Sequence, residues 1–172
     1  MMVLADWEIR AHCEATQMVW PFRPDLLNPA SLDVVLGDVL MVEMPGQKEL
    51  EPYSISSATA ENPYWLTPGQ FVLAQTREVF NIPNRVAAQF VLKSSRAREG
   101  YNNMLAGWAD PGFNNSVLTL ELQNCRKHVD LPLYPNLKIG QMVFFNMSNT
   151  PIHSYEVTGR YNGEVSTTGS KG

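Results

Sequence analysis

The sequence predicts a mainly β protein, organised as a barrel or a double-sheet sandwich, with one short helix near its N-terminus. Two observations carry this prediction: short apolar runs recur along the chain, and clusters of proline, glycine and asparagine separate them. The runs are SLDVVLGDVLMVE, QFVLAQTREVF, RVAAQFVLKS, SVLTLELQN and QMVFFNMS. Many short strands with turn signals between them are typical of β-barrels and β-sandwiches. Since no internal repeat or low-complexity linker interrupts the pattern, residues 1–172 are expected to form one domain.

The helix is predicted in the first segment of the chain. Asp6 can cap its first turn, and Ile9 and Cys13 recur at helical spacing with Glu8 and Glu14 beside them. The pattern ends at WPFRP, because proline does not continue a helix. All later elements are therefore predicted as strands.

Two segments lack the alternation of a strand. Residues 47–64 show no periodicity and are expected to form a surface excursion. Residues 159–172 are polar and glycine-rich, and we expect a mobile tail that closes over the functional site when a ligand binds.

The charge balance limits the classes of partner. The chain carries 13 Lys and Arg against 17 Asp and Glu, a formal charge of −4. Without a global positive field, binding to nucleic acid or to a membrane surface is not expected, and an anionic ligand needs a local basic cluster. No apolar run approaches the roughly 20 residues of a membrane-spanning helix, and Asp6 and Glu8 come too early for a signal peptide. A cytoplasmic protein is expected.

The predicted strand SVLTLELQN contains an acid at its centre. If residues 117–123 are extended, Leu118, Leu120 and Leu122 share the core face, and Glu121 lies on the opposite face. Glu121 is then either a solvated acid of an edge strand, since acids are rarely buried, or an acid enclosed between subunits or under a loop. In the second case, desolvation raises its pKa and suits it to proton transfer. Alternation does not choose between the two.

A second acid, Asp110, precedes Pro111 and Gly112. It is either a turn former whose carboxylate accepts backbone N–H groups two residues on, or a rigid carboxylate that orients a water or a ribose hydroxyl.

The segment FVLKSSRAREG combines hydroxyl and cationic side chains. Lys93, Ser94, Ser95, Arg96 and Arg98 place two hydroxyls and three cations within six positions. These groups suit the oxygens of a phosphate, but a basic surface turn has the same composition, and both interpretations stand.

Seven segments in order resemble the dCTP deaminases, within the superfamily of trimeric dUTPases. They are LADWEI, LLNPASLDVVLGD, LTPGQFVLAQTREVFNIP, KSSRAREG, AGWADPGF, LTLELQN and LPLYPNLKIGQMVFF. KSSRAREG is similar to the family's Arg-Ser-Ser-x-x-Arg-x-Gly signature, and LTLELQN to the strand that carries its catalytic glutamate. The resemblance implies a distorted, dUTPase-like β-barrel, a homotrimer, and active sites at subunit interfaces.

The resemblance also implies roles for individual residues. Glu121 would be the general base and acid for attack of water on C4 of cytosine, with Ser94 and Arg98 orienting that water. The substrate would be bound by Lys93, Ser95, Ala106, Asp110, Phe113, Arg160 and Tyr161. Among these, Ser95 would contact phosphate, Asp110 the sugar 3′-hydroxyl, and the tail residues the triphosphate. Mg²⁺ would arrive with the triphosphate, and dTTP is a possible feedback inhibitor.

No zinc is expected in this chemistry. The three histidines and two cysteines are scattered, and neither cysteine lies in a C-x-x-C pair. Zinc-dependent nucleobase deaminases hold their metal with H-x-E and P-C-x-x-C motifs.

The chain departs from the family pattern in three places. Lys93 stands where the signature has arginine, which keeps the charge and loses the bidentate fork. The segment between Arg98 and Asp110 is one residue shorter, and FNNSV is one residue longer. Glu164 replaces a glutamine beside the phosphates, where a carboxylate repels the substrate unless Mg²⁺ or Arg160 compensates.

Four functions are consistent with these residues. The first is deamination of dCTP to dUTP and ammonia. The second is a bifunctional reaction that continues to dUMP and pyrophosphate. The third is a plain dUTPase, in which Glu121 would be incidental because plain dUTPases generally have an apolar residue there. The fourth is a nonenzymatic nucleotide-sensing protein, since a fold does not fix a function.

Overall fold

A computed structural model of the protein describes residues 2–172, and the predicted mainly β fold with an N-terminal helix is confirmed. The helices are α1 (Asp6–Thr16), α2 (Ser94–Glu99) and α3 (Tyr155–Thr158), with a 3-10 turn at Pro24–Leu26. The prediction that every element after α1 is a strand is therefore wrong at α2 and α3, which are too short to show a helical apolar period. Strands β1 to β7 are Met2–Val3, Val19–Trp20, Leu27–Asn28, Ser31–Val35, Val39–Val42, Glu51–Ser54 and Tyr64–Leu66. Strands β8 to β14 are Phe71–Asn81, Val86–Leu92, Tyr101–Asn102, Trp108–Ala109, Asn114–Asn124, Leu131–Leu133 and Lys138–Asn146.

The strands form two antiparallel six-stranded sheets and a small two-stranded one. The first sheet has the order β11-β9-β14-β4-β3, and β1 also pairs with β14. The second has the order β10-β12-β8-β5-β6, with β2 paired to β8, and β13 pairs with β7. Apolar side chains of both large sheets meet in one core, for example Leu32 and Phe144 of the first and Leu120 and Leu122 of the second. No helix in residues 2–172 has the length and apolar character that a membrane crossing requires.

The predicted cap of α1 is wrong by one residue. Ala5, in extended conformation, precedes the helix, and its N–H donates to Glu8 Oε2 at 2.9 Å. Asp6 is the first helical residue, and its carboxylate accepts the Trp7 N–H at 2.8 Å. The Glu8 carboxylate therefore satisfies the Ala5 N–H at the start of the helix. The sequence had predicted Asp6 as the capping residue.

The segment 47–64 is not a simple excursion. It contains β6, which pairs with β5 in the register Val39↔Ser54 to Val42↔Glu51. All four residues of β6 are exposed. A strand that buries neither face has no apolar alternation, which is why the sequence pattern did not reveal it.

The segment FNNSV contains a bulge at the start of β12. Asn114 lies opposite Asn81 and Ser116 opposite Phe80, so Asn115 has no counterpart. It adopts a left-handed conformation with φ 47°, and its N–H donates to the Asn81 side chain at 3.0 Å. Asparagine tolerates this conformation better than most residues. A second irregularity follows between Val117 and Thr119, and beyond it the pairing of residues 119–123 with 71–75 is regular.

Candidate active site

A cleft of about 660 Å³ lies along the second sheet. Its walls come from β12, the start of β8, the loop before β12, the segment before β6, and the C-terminal tail. The side chains that line it include Met41, Lys48, Glu49, Leu50, Phe71, Leu73, Ala106, Trp108, Asp110, Phe113, Thr119, Glu121, Tyr155, Tyr161, Glu164 and Ser170.

Glu121 enters this cleft from the middle of β12. It lies opposite Leu73 of β8, while its neighbours Leu120 and Leu122 are fully buried in the core. β12 is paired with β8 along residues 114–123, whereas β10 pairs with it only at Gln123 and Asn124, so at Glu121 one side of the strand has no paired neighbour within residues 2–172. Of its two oxygens, Oε2 is buried and has no hydrogen-bond partner within residues 2–172. A buried oxygen with unused acceptor capacity can hold a water or a substrate proton.

Burial raises the pKa of the Glu121 carboxyl, since desolvation disfavours its charged form, and a backbone hydrogen bond opposes this shift more weakly. Of the two interpretations that the sequence left open, the structure therefore supports the enclosed acid.

Asp110 occupies a tight turn at the mouth of the cleft. The Phe113 N–H donates to the Asp110 carbonyl at 3.0 Å, and Gly112 at the third position has φ 90°, as in a type II turn. A Cβ on Gly112 would come within 2.3 Å of the Ser154 hydroxyl, so the turn requires glycine. The Asp110 carboxylate accepts the Trp108 indole N–H at 2.9 Å and remains exposed. It is thus oriented by an aromatic neighbour, and the expected contacts to backbone N–H groups are replaced by this one.

Two further predicted residues lie in the same wall. Ala106 is exposed at the cleft, and Phe113 is buried beneath it with its ring centre 5.9 Å from that of Tyr155. The loop that carries them is held to the first sheet by the Phe90 N–H, which donates to the Gly107 carbonyl at 2.7 Å.

The C-terminal tail packs against the cleft. The Val117 N–H donates to the Glu164 carbonyl at 2.8 Å, and the Ser116 hydroxyl donates to the Tyr161 carbonyl at 2.9 Å. Farther along, Thr167 is buried, and its N–H donates to Gln75 Oε1 at 2.5 Å. These contacts place Tyr161, Glu164 and residues 168–170 in the lining of the cleft.

The sequence did not identify Gln75 and Thr167. Both are buried polar residues whose partners lie far away in the sequence. Their pairing follows from the path of the tail across the sheet, and no local pattern signals it.

The cation beside Glu164 is Lys171. The two side chains form an ion pair, and the Lys171 ammonium also lies 5.4 Å from the ring centre of Tyr161. Arg160, which the sequence suggested for this role, is exposed and outside the cleft lining.

The basic segment, residues 93–98, is separate from the cleft. Ser94, Ser95 and Arg98 are exposed on α2, and none of them lines the cleft of the same chain. Lys93 precedes the helix, and its ammonium forms an ion pair with Asp33 of β4. The structure thus brings together Ala106, Asp110, Phe113, Glu121 and Tyr161, and it keeps residues 93–98 apart from them.

The cleft of one chain is acidic. Its charged lining residues are the acids Glu49, Asp110, Glu121 and Glu164 and the single base Lys48. Lys48 and Glu49 belong to the segment that the sequence placed in a surface excursion. Within residues 2–172 no three His, Cys, Asp or Glu side chains are grouped as the ligands of a metal.

Comparison with known proteins gives one family. The profile of the dCTP deaminase-like family matches residues 3–147. A "dCTP deaminase, dUMP-forming" of Methanosphaerula palustris is 41% identical over 152 residues, covering 84% of this chain and 81% of the relative. The protein of the same name from Mycobacterium marinum is 33% identical over 183 residues, covering 99% of this chain and 95% of the relative.

A solved structure has the same fold. The 2′-deoxycytidine 5′-triphosphate deaminase of Agrobacterium tumefaciens superposes with a TM-score of 0.65 at 22% identity, over 83% of this chain. The match covers 47% of that longer chain. The predicted distorted β-barrel is thereby confirmed, and with the family match and the relatives above it shows that the chain belongs to the dCTP deaminase-like family.

Proposed function

We propose that the chain is a hydrolase that deaminates dCTP and carries the product on to dUMP. In the first step, dCTP and water give dUTP and ammonia; in the second, dUTP and water give dUMP and pyrophosphate. The observation that carries the first step is Glu121, a carboxyl with raised pKa and an unpartnered buried oxygen that faces a cleft of about 660 Å³. The second step is supported by the names of the relatives, which are dUMP-forming deaminases.

Glu121 is proposed as the general base and acid of deamination. Its carboxylate takes a proton from the water that attacks C4 of cytosine, and then delivers protons to N3 and to the departing ammonia. A base with a raised pKa is matched to this exchange near neutral pH, and such catalysis contributes about 10²- to 10⁴-fold to the rate. Enclosure of water and base in one cleft lowers the barrier further by proximity.

A second copy of the chain is proposed to complete the site. The cleft of one chain has four acids and one lysine, which disfavours a triphosphate. The exposed Ser94, Ser95 and Arg98 offer hydroxyl and cationic groups without a cleft of their own. In a homotrimer, Ser94 and Arg98 of one subunit would orient the water beside Glu121 of the next, and Ser95 would bind phosphate oxygens.

The remaining proposed contacts involve residues of the cleft wall and of the tail. Asp110, oriented by Trp108, is proposed to meet the sugar 3′-hydroxyl and to activate the water of the second step. The backbone of Ala106 and the ring of Phe113 would shape the base pocket. Tyr161, together with Arg160, would close over the triphosphate from the tail, residues 159–172, which already lies along the cleft.

Mg²⁺ carried by the triphosphate would offset the charge of Glu164. We further propose that dTTP, which shares the sugar and triphosphate, competes for this cleft.

The test is an assay of ammonia, pyrophosphate and dUMP with dCTP and with dUTP as substrates. The proposal expects all three products from dCTP, and pyrophosphate with dUMP from dUTP. Ammonia without pyrophosphate would reduce the function to deamination alone, and pyrophosphate from dUTP without ammonia from dCTP would indicate a plain dUTPase. Binding of dCTP, dUTP or dTTP without turnover would indicate a nucleotide sensor.

The shared site has its own test. Chains with Glu121→Gln and chains with Arg98→Ala are each expected to be inactive, and their co-expression should restore about a quarter of the wild-type rate if subunits mix at random in a ring. A mixed preparation that remains inactive, while mixed assembly is demonstrated, would contradict a site built from two subunits.

A further inference from the structure

We infer that Asp33 is a positioning residue, and that Lys93 acts by pairing with Asp33 to fix the start of helix α2. The catalytic consequence rests on the proposed function, in which residues of α2 belong to the active site. Lys93 is then not expected to bind phosphate directly, although the sequence suggested that contact.

Both carboxylate oxygens of Asp33 have hydrogen-bond donors. Lys93 Nζ lies 2.7 Å from Oδ1 and 2.6 Å from Oδ2, and the Asn28 side-chain amide donates to Oδ1 at 2.8 Å. Asp33 is 4% exposed, whereas the Lys93 side chain is 26% exposed. Both carboxylate oxygens are thus occupied by donors, which is the condition under which a buried acid is tolerated.

The strand register explains why these two residues meet. Gln141 of β14 lies opposite Asp33 of β4 on one side and opposite Val91 of β9 on the other. Lys93 comes two residues after Val91 and continues in extended conformation, with φ −60° and ψ 137°, so its side chain leaves the same face of the sheet. The ion pair therefore spans β14 and ties the end of β9 to β4.

Lys93 also determines where α2 begins. Its N–H donates to the Ile139 carbonyl at 3.2 Å, and its carbonyl accepts the Ala97 N–H at 3.0 Å. The backbone of one residue thus joins the sheet to the first turn of the helix that carries Ser94, Ser95 and Arg98. A shift of Lys93 would move these three exposed side chains together.

A phosphate has to compete with Asp33 for this ammonium. Withdrawal of Lys93 would leave a buried carboxylate without its cation, which is strongly unfavourable. The pair is therefore expected to stay closed when nucleotide binds, and Lys93 contributes through geometry. Arginine, which the family signature has at this position, can make the same pair with two parallel hydrogen bonds.

The experiment is a double-mutant cycle with Asp33→Asn, Lys93→Met and the combined variant. Two readouts are needed: kcat/KM for ammonia release from dCTP, and hydrogen exchange of the amides of residues 94–99. Each single change is expected to lower kcat/KM roughly ten-fold and to speed exchange in α2, and the combined variant should be no worse than either single one. Lys93→Arg should keep both kcat/KM and the exchange of the α2 amides at their wild-type values. Glu99→Gln is the matched control, because it removes the Arg96–Glu99 ion pair of the same helix without touching Asp33.

Direct binding of phosphate by Lys93 predicts a different result. In that case Lys93→Met raises KM, Asp33→Asn leaves it unchanged, exchange in α2 does not respond, and the losses multiply; this outcome would overturn the inference. If Lys93→Met does not fold, the test compares Asp33→Asn with the combined variant. Equal kcat/KM in these two proteins supports the ion pair, and a lower kcat/KM in the combined variant refutes it. If wild-type protein releases no ammonia from dCTP, the proposed function fails, and hydrogen exchange still tests the position of α2.

Discussion

Two glutamates on neighbouring strands, Glu78 of β8 and Glu121 of β12, have environments that differ in one essential respect. Burial raises the pKa of both carboxyls. Glu78 is 2% exposed, and its oxygens accept the Val35 N–H at 3.1 and 3.4 Å. Glu121 is half-buried and faces the cleft, and its Oε2 has no partner in the described chain. Glu78 is thus bound into the fold, whereas Glu121 retains acceptor capacity where a ligand can reach it.

A raised pKa alone therefore does not identify a catalytic acid. Structural carboxyls are perturbed by the same desolvation as functional ones. Access from a cleft and an unsatisfied oxygen are the additional conditions, and only Glu121 of this pair meets them. Replacement of Glu121 is therefore expected to lower the reaction rate, whereas replacement of Glu78 is expected to change the pH dependence of stability.

The largest expected effect is that of Glu121→Gln on ammonia release. The amide keeps the volume of the side chain but does not accept a proton from water, so the rate should fall about 10³-fold. Unfolding should be little affected, because the amide needs no charge to be buried. Glu78→Gln is the matched control and should retain the wild-type rate. Equal rates for the two variants would remove the distinction between them.

The next effect is that of Glu78→Gln on the pH dependence of stability. The pKa of Glu78 rises from 4.5 to about 7 on folding, so between these values the native state keeps a proton that the unfolded state has lost. The free energy of unfolding of the wild type should therefore decrease as pH rises through this window, by about 3 kcal/mol in total. Glu78→Gln should remove the Glu78 contribution and leave only the part due to Glu121, whose raised pKa acts in the same direction.

Denaturant unfolding at pH 5, 6, 7 and 8 measures this slope. The exposed Glu43 supplies the control variant Glu43→Gln, which should keep the wild-type slope. A slope that is unchanged in Glu78→Gln would assign the titration to another group.

The sequence predicted one member of this pair for reasons that can be stated. Glu121 stands out because it lies within a regular alternation of leucines, on the face opposite to them, so its face was known before its surroundings. Glu78 gave no such signal, since β8 has a register irregularity opposite Val117–Thr119 and residues 72–76 are all buried. Alternation is lost at such a bulge, and the contact with Val35 joins residues 43 positions apart.

The rest of the site shows the same limit of local patterns. The turn at Asp110 was predicted, because proline and glycine encode it locally. Its contact with Trp108 was not, although the two residues are only two positions apart, because side-chain direction depends on the surrounding wall. The separation of residues 93–98 from the cleft depends on the order of strands in two sheets, and no motif spacing contains that information.

The third effect concerns the pH profile of catalysis. Because burial raises the pKa of Glu121, the acid limb of kcat/KM should lie above the range of an ordinary glutamate, which is about 4.3. Below its pKa the carboxyl holds a proton and no longer serves as a base, so activity should fall about ten-fold for each pH unit. Steady-state rates across pH 4 to 8 check the position of the limb. In Glu78→Gln the limb should not move; a limb that follows Glu78 would mean that the comparison assigns the wrong acid to catalysis.

The smallest effect is expected from the tail, which lines the same cleft as Glu121. The Thr167 hydroxyl lies 2.9 Å from Gln75 Oε1 and 3.0 Å from the Val39 carbonyl, and the next three residues line the cleft. Thr167→Val keeps the shape and removes a hydrogen bond worth about 1 kcal/mol, so KM for dCTP should rise about five-fold when the tail is held less firmly.

Water admitted by the looser tail would favour the charged form of Glu121 and lower its pKa, so the acid limb should also move to lower pH in Thr167→Val. Thr167→Ser keeps the hydroxyl and should resemble the wild type in both KM and pH profile. The pH window of stability that belongs to Glu78 should be the same in wild type, Thr167→Val and Thr167→Ser. Glu78 belongs to β8, its carboxylate accepts a hydrogen bond from Val35 of β4, and it does not line the described cleft. An acid limb that stays in place while KM rises would show that the enclosure of Glu121 comes from the sheet, and that the tail acts on affinity alone.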